Sequence, residues 1–232
     1  DPRFYAFIIY NGSSVRKMGR DASLLEKDPT STLQVGRYEK WNASTNSIII
    51  EHGLDTRQSS VRPSEAGFTG YYIRKMMDPT IDGWFFAQDI PWRYFRYAEV
   101  LFNYAEACIE LGEELEARKY LNMIRNRAGM PDVTDTGDDL RNRMRNEKRI
   151  EMMYEDQRYY DVRRWMIGEE AYGDCYAANV LYPLLDDKTT SAKPIISHVK
   201  FQKRKWHNKM YFKPIYHDEI LRNNMLIQNP EY

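Results

Sequence analysis

The sequence has only two cysteines, Cys108 and Cys175, in 232 residues. Two thiols cannot build a disulfide framework or a four-thiolate zinc site, and they leave the redox compartment open. Histidine is almost as scarce. His52, His198, His207 and His217 are scattered and form no H-E-x-x-H set. There is no G-x-S-x-G elbow and no phosphate loop. An excess of charge is missing too. The 34 basic residues match 34 acidic ones, which argues against a dedicated DNA-binding protein. Mean hydropathy is −0.73, and no window approaches the roughly 18 apolar residues of a membrane span. A starting methionine and a basic leader are also lacking, so the chain reads as a mature or truncated piece of something longer.

Aromatic residues are abundant, at 14% with 18 tyrosines. Tyr and Trp combine a flat apolar face with a polar edge, which suits partly wet binding surfaces as well as cores. Phe4 to Tyr10 predicts a strand closed by the turn Asn11-Gly12. Residues 11–92 hold most of the Gly, Ser, Thr and Asp punctuation. Short apolar runs such as Ser47-Ile48-Ile49-Ile50 and Tyr71-Tyr72-Ile73 lie between. This predicts loops with a few short strands.

From Arg93 the pattern becomes helical. Tyr94, Tyr97, Leu101, Ala105, Cys108 and Leu111 recur at steps of three and four, with polar residues opposite. Gly112 ends this helix, and a second follows over 113–127 with Ala117, Leu121 and Ile124 inward. The pair has the proportions of one tetratricopeptide repeat, or of an ordinary helical hairpin. A third helix is predicted over 138–156, with Leu140, Met144, Ile150 and Met153 or Tyr154 inward. Glu147 falls on its apolar stripe with Glu151 one turn on, so both need partners. Arg149, Arg158, Arg163 and Arg164 are the candidates, and a structural ion network is favoured over a metal site. After Trp165 the chain reads as irregular, ending with a short helix over 218–222 capped by Asp218. The basic, aromatic segment 198–213 reads as a strand with a solvated face and Trp206 packed inward. Nucleic-acid stacking is the weaker alternative.

Residues 78–92 hold Asp78, Asp82, Trp84, Phe85, Phe86, Asp89 and Trp92. Aromatic faces stack on the C–H faces of sugars, and carboxylates accept hydrogen bonds from hydroxyls. Trp84, beside Gly83, and Asp82 are therefore candidate glycan contacts, with Tyr71 as a third. Trp41 with Tyr38 forms a weaker second platform. Two of Asp78, Asp82 and Asp89 facing each other would instead make a glycosidase pair. A third alternative is a helical scaffold that binds a protein segment through residues 94–129.

Three segments together carry a family resemblance. The first is Arg96-Tyr97-Ala98-Glu99-Val100-Leu101 continuing to Asn103-Tyr104-Ala105-Glu106-Ala107. The second is Leu121-Asn122 with Ile124-Arg125-Asn126-Arg127-Ala128-Gly129. The third is Glu147-Lys148-Arg149-Ile150-Glu151 to Tyr154-Glu155, then Arg158-Tyr159-Tyr160-Asp161-Val162-Arg163-Arg164-Trp165. In this order they resemble the carboxy-terminal half of the SusD/RagB family. The opening Asp1-Pro2-Arg3-Phe4, the segment Gly70-Tyr71-Tyr72-Ile73-Arg74-Lys75 and the closing Gln228-Asn229-Pro230-Glu231-Tyr232 also resemble it.

The resemblance implies a mainly α, SusD-like fold, with tetratricopeptide-like hairpins packed on a large loop-rich region and a few short strands. Residues 1–232 would be its carboxy-terminal domain. Within it, 1–92 is the loop-rich, ligand-facing part, 93–165 the helical core and 166–232 an irregular tail. The amino-terminal half, with a lipidated cysteine, would be absent. The resemblance also implies a non-catalytic glycan-binding lipoprotein, or one that binds peptides, on the outer surface of the outer membrane. Its partners would be the glycan and a SusC-type TonB-dependent transporter, with no nucleic acid and no membrane contact beyond the lipid anchor. No cofactor is implied, and calcium is left open. Glu147, Arg149, Glu151, Arg158, Asp161 and Trp165 match packing and ion-pair positions of the family. Trp84, Trp41, Tyr71 and Asp82 rest on local chemistry alone.

Overall fold

A computed structural model describes residues 1–14, 31–60, 63–78 and 89–232. The chain folds as two compact units. One comprises Asp1–Trp92 with Tyr176–Phe201, the other Arg93–Cys175 with Gln202–Tyr232. The change of pattern at Arg93 coincides with a unit boundary. Part of the tail, residues 176–201, joins the first unit.

The first unit is built on sheet. Helix α1 (Arg3–Phe7) runs into the short strand β1 (Ile8–Ile9). Only these last two residues are extended, so the predicted strand over 4–10 is corrected. Asp1-Pro2 is a helix start: Pro2 sits at φ −59°, and the Asp1 carboxylate accepts the Arg3 backbone N–H at 3.0 Å. The turn that follows is present, with Gly12 at φ 85°. Strands β2 (Arg37–Asn42) and β3 (Ser47–His52) form an antiparallel hairpin, with Arg37 opposite His52 and Asn42 opposite Ser47. Asn42 shapes the turn by accepting the N–H groups of Ser44 and Thr45 at 3.0 and 3.3 Å. Strand β4 (Tyr72–Ile73) pairs antiparallel with β1.

The tail supplies two eight-residue strands, β5 (Cys175–Tyr182) and β6 (Ile195–Gln202). The sheet order is β3-β2-β5-β6, with β2 and β5 parallel. A four-stranded sheet thus replaces the irregular run expected there. On the face that carries Tyr38, its ring stacks on Tyr182 at 4.5 Å and 12°. Burial, with repulsion from Tyr182, Glu51 and Asp55, pushes the Tyr38 phenol up to about 12.

The second unit is helical. Helices α2 (Tyr97–Glu110) and α3 (Glu114–Arg127) form a hairpin turned by Gly112 at φ 78°. Helix α4 (Gly137–Glu151) packs on α2. The core contains Leu101, Phe102, Ala105, Ile109, Leu121, Ile124, Leu140 and Met144, with Trp165 against it. Ala117, Leu121 and Ile124 are inward as expected. Tyr94, Tyr97 and Leu111 are exposed instead. Helix α2 begins only at Tyr97 and ends before Leu111, so the stripe shortens and Phe102 and Ile109 complete it.

Helix α4 is also shorter than predicted. Tyr154 and Asp156 take left-handed φ of 63° and 61°, which breaks the helix before α5 (Gln157–Arg164). The acidic residues make the expected ion network, with partners drawn largely from other segments. Arg125 reaches Glu147 at 2.5 Å, and Arg127 reaches Glu151 at 2.6 Å. Arg96 reaches Glu155 at 2.5 Å, and Lys148 reaches Asp161 at 2.8 Å. Arg164 and the Trp165 indole both donate to Glu106, at 2.6 and 2.7 Å. Of the four arginines singled out from the sequence, Arg164 joins this network. Helix α6 (Gly168–Ala171) follows, and α7 (His217–Arg222) closes the unit. Asp218 lies in the first turn of α7 rather than capping it. Trp206 packs inward as expected, between Tyr172 and Tyr211 and against Gly168. No helix among the described residues is long and apolar enough to cross a membrane.

Candidate functional site

The sheet unit carries a pocket of about 240 Å³. Four separated stretches line it. Arg37 opens β2 and His52 closes β3, so cross-strand register sets them side by side. Parallel pairing puts Leu181 opposite Arg37, which leaves Asn179 on the same face two residues back. Arg37 Nη2 donates to Asn179 Oδ1 at 2.8 Å, and Asn179 Nδ2 is 3.1 Å from Ser197 Oγ. A polar chain therefore crosses three neighbouring strands and fixes the guanidinium.

The loop after β3 supplies the floor. Gly53 leaves no space for a β-carbon against the Gln34 carbonyl, and this close approach sets the path to Asp55. Asp55 Oδ2 accepts the Gln34 N–H at 2.7 Å. Thr56 and Arg57 follow on the same wall. The Arg57 guanidinium lies 4.2 Å from the centre of the Phe68 ring. Phe68 sits on the turn Gly67-Phe68-Thr69-Gly70, where Gly70 takes φ +73° against Ala178. Its ring is parallel to Phe201 at 6.4 Å, yet Phe68 is 65% exposed.

Among the described residues, two nitrogens buried behind this wall have no hydrogen-bond partner: Arg37 Nε and His52 Nδ1. A buried polar group left unpaired costs about 1–3 kcal/mol. Arg37 Nε can only donate. The pocket thus sets hydrogen-bonding side chains beside an exposed aromatic face, the makeup of a binding site for a polar ring. Among the described residues Asp55 is the only carboxylate that lines it, so this wall has no acid–base pair of the glycosidase kind. Among the described residues no three His, Cys, Asp or Glu side chains are grouped to hold a metal.

Of the residues singled out from the sequence, Trp84 and Asp82 lie outside the described residues. Trp41 is half-buried on β2, with the Lys188 ammonium 4.1 Å from its ring centre. Tyr71 is half-buried and edge-on to Phe4 at 6.3 Å. Neither lines the pocket. Tyr38 and Trp41 are three apart on one strand, so they face opposite sides of the sheet and form no joint platform. Of the three candidate glycosidase aspartates, Asp82 is outside the described residues, and neither Asp78 nor Asp89 lines the pocket. The sequence did contain one signal for Phe68: an aromatic in a loop beside a glycine, Gly67, as Trp84 stands beside Gly83. Arg37, His52 and Asn179 had none, because only the pairing of distant strands assembles them.

The comparisons agree with one another. The model of the SusD family matches residues 1–232. SusD-like protein P2 of Formosa agariphila is 32% identical over 148 residues, 59% of this chain and 25% of that protein. A SusD-like protein of Bacteroides fragilis, known as a crystal structure, is 31% identical with a TM-score of 0.68. That match covers 100% of this chain and 39% of the other. The solved selenomethionine protein BT4246 superposes with a TM-score of 0.71 at 24% identity, covering 100% and 38%. The chain therefore spans well under half the length of these relatives.

Proposed function

Since this chain belongs to the SusD family, we propose that it binds glycan at the cell surface without turning it over and delivers it to a SusC-type TonB-dependent transporter in the outer membrane. A lipid anchor outside the chain would hold it there. The observation that carries the glycan reading is the exposed Phe68 face on a wall of hydrogen-bonding side chains. A sugar ring lays its C–H face on Phe68 while its oxygens meet the Arg, Asn and Thr groups. The pocket is smaller than the roughly 300–1,000 Å³ of sites that enclose a drug-sized ligand. It therefore takes one sugar unit and leaves the rest of an oligosaccharide outside. Hydroxyl-rich ligands exchange water hydrogen bonds for protein ones with small net gain, so affinity for a single chain is modest.

Trp41 is proposed as a second contact, half-buried and lying on the β2 face that carries Arg37. Tyr71, and Trp84 and Asp82 beyond the described residues, are proposed contacts on their chemistry alone. Titration calorimetry with an oligosaccharide panel tests the reading. Phe68→Ala is expected to weaken the bound glycan about tenfold, the loss of one good aromatic contact, with an unchanged melting midpoint. Unchanged affinity in Phe68→Ala removes the pocket from the mechanism. A heat that never returns to baseline, with new reducing ends, replaces binding by hydrolysis.

A further inference from the structure

The pocket holds more positive charge than a neutral sugar needs. Among the described residues its wall carries two guanidiniums, Arg37 and Arg57, against one carboxylate, Asp55. Asp55 already accepts the Gln34 N–H at 2.7 Å. Among the described residues neither arginine is paired with a carboxylate. Arg37 donates to the neutral amide of Asn179 at 2.8 Å, and Arg57 reaches only the Ala66 carbonyl, at 3.4 Å, and the Phe68 ring. Like Arg37, Arg145 and Arg163 of the helical unit have a buried, unpaired Nε among the described residues, but they do not line this pocket. In the helical unit Arg96, Arg125, Arg127, Lys148 and Arg164 each hold a carboxylate. Among the described residues, then, two arginines at one pocket wall have no carboxylate to hold.

We infer that the pocket selects an acidic glycan, receiving the carboxylate or sulfate of one sugar unit on its Arg37 and Arg57 side while the ring rests on Phe68. This rests on the glycan reading above and adds the charge of the ligand to it. A guanidinium presents a planar fork of donors that matches carboxylate and sulfate oxygens, and a neutral hydroxyl gains far less from it. Arg57 over Phe68 also brings charge and ring face within one sugar's width.

The test titrates the full chain with three probes at 0.15 M salt: maltohexaose, an oligogalacturonate and a carrageenan oligosaccharide. They offer hydroxyl, carboxylate and sulfate, respectively. The expected result is at least tenfold tighter binding of one acidic probe than of maltohexaose, and which probe it is identifies the anion. Arg37→Gln is expected to abolish most of that preference. Arg57→Gln, at an exposed position where folding is not at stake, is expected to cut it at least fivefold. Equal binding of neutral and acidic probes overturns the inference and leaves glycan binding standing. Acidic binding that both variants retain and 0.5 M salt removes is surface attraction, and also overturns it. Silence with all three probes overturns both readings together.

Discussion

The indole of Trp206 lies so close to the backbone of Gly168 that no β-carbon fits between them. The Gly168 N–H donates to the Tyr211 hydroxyl at 2.8 Å, which holds the two segments at that spacing. A methyl group placed there must displace a rigid ring that Tyr172 and Tyr211 flank at 5.0 and 4.9 Å. Overpacking of this kind costs about 1–3 kcal/mol. Gly168→Ala is therefore expected to lower the urea midpoint of the helical unit. An unchanged midpoint would show that Trp206 is free to move aside.

Arg125 and Glu147 are paired at 2.5 Å, with 8% and 3% of their side chains exposed. Breaking a buried pair by removing one partner costs about 3–5 kcal/mol, because the remaining charge stays in a poor solvent. Arg125→Met is expected to cost that much. Arg143→Met, which breaks the more exposed pair with Asp135, is expected to cost under about 1 kcal/mol. The double variant Arg125→Met with Glu147→Met is expected to regain much of the loss. Chemical denaturation of the four proteins reads the difference, and similar costs for the two single variants would contradict the burial argument.

Glu106 is expected to contribute to stability on the acid side. Burial pushes its carboxyl up, but the hydrogen bonds from Arg164 and Trp165 outweigh this and hold it below the ordinary 4.5. A carboxylate lowered by folding stabilises above the unfolded value and loses that contribution as pH falls through the folded one. Stability is therefore expected to drop below about pH 4.5. Glu106→Gln should be less stable at pH 7 and show a flatter profile below about pH 4.5. Parallel slopes for the two proteins would remove Glu106 from that drop.

Tyr38 gives the opposite sign at the alkaline end. Burial raises its phenol from 10.0 to about 12, assisted by Tyr182, Glu51 and Asp55. Folding favours the protonated form, so its contribution is intact below pH 10 and lost as pH rises towards about 12. An absorbance titration at about 295 nm follows phenolate formation. Tyr38→Phe is expected to delete the latest-ionising component. A late component of equal size in the variant would assign it to another tyrosine.

The helices were legible because one face of each is buried and the other wet. Ala117, Leu121 and Ile124 announce α3 by spacing alone, and the structure buries all three. Strand β5 was not legible, and β6 only in part, since the strand read over 198–213 meets it only at 198–202; the reason is the converse one. Every residue of β6 is exposed and β5 buries only Ala177 and Val180, so neither shows the alternation that marks a half-buried strand. The pocket depends on that missed pairing. Arg37 and Asn179 become neighbours only through the β2–β5 register, which no local pattern encodes. The ion network was legible in its acids and less so in its bases, because Arg96, Arg125 and Arg127 come from other helices or their ends.

The parallel pairing of β2 with β5 also sets a timetable. Arg37 and its partner Asn179 are 142 positions apart. At the roughly 5–20 residues per second of synthesis, β5 leaves the ribosome about 7–28 s after β2. During that interval the hairpin of β2 and β3 already exists as chain while one of its edges has no strand to pair with. Residues 93–175, most of the helical unit, emerge first. Helices of local contacts fold in microseconds to milliseconds, so they are structured before the sheet can close. A nascent chain halted short of residue 176 is thus expected to display the unpaired β2 edge of an open hairpin, which makes that intermediate a natural client for a holding chaperone.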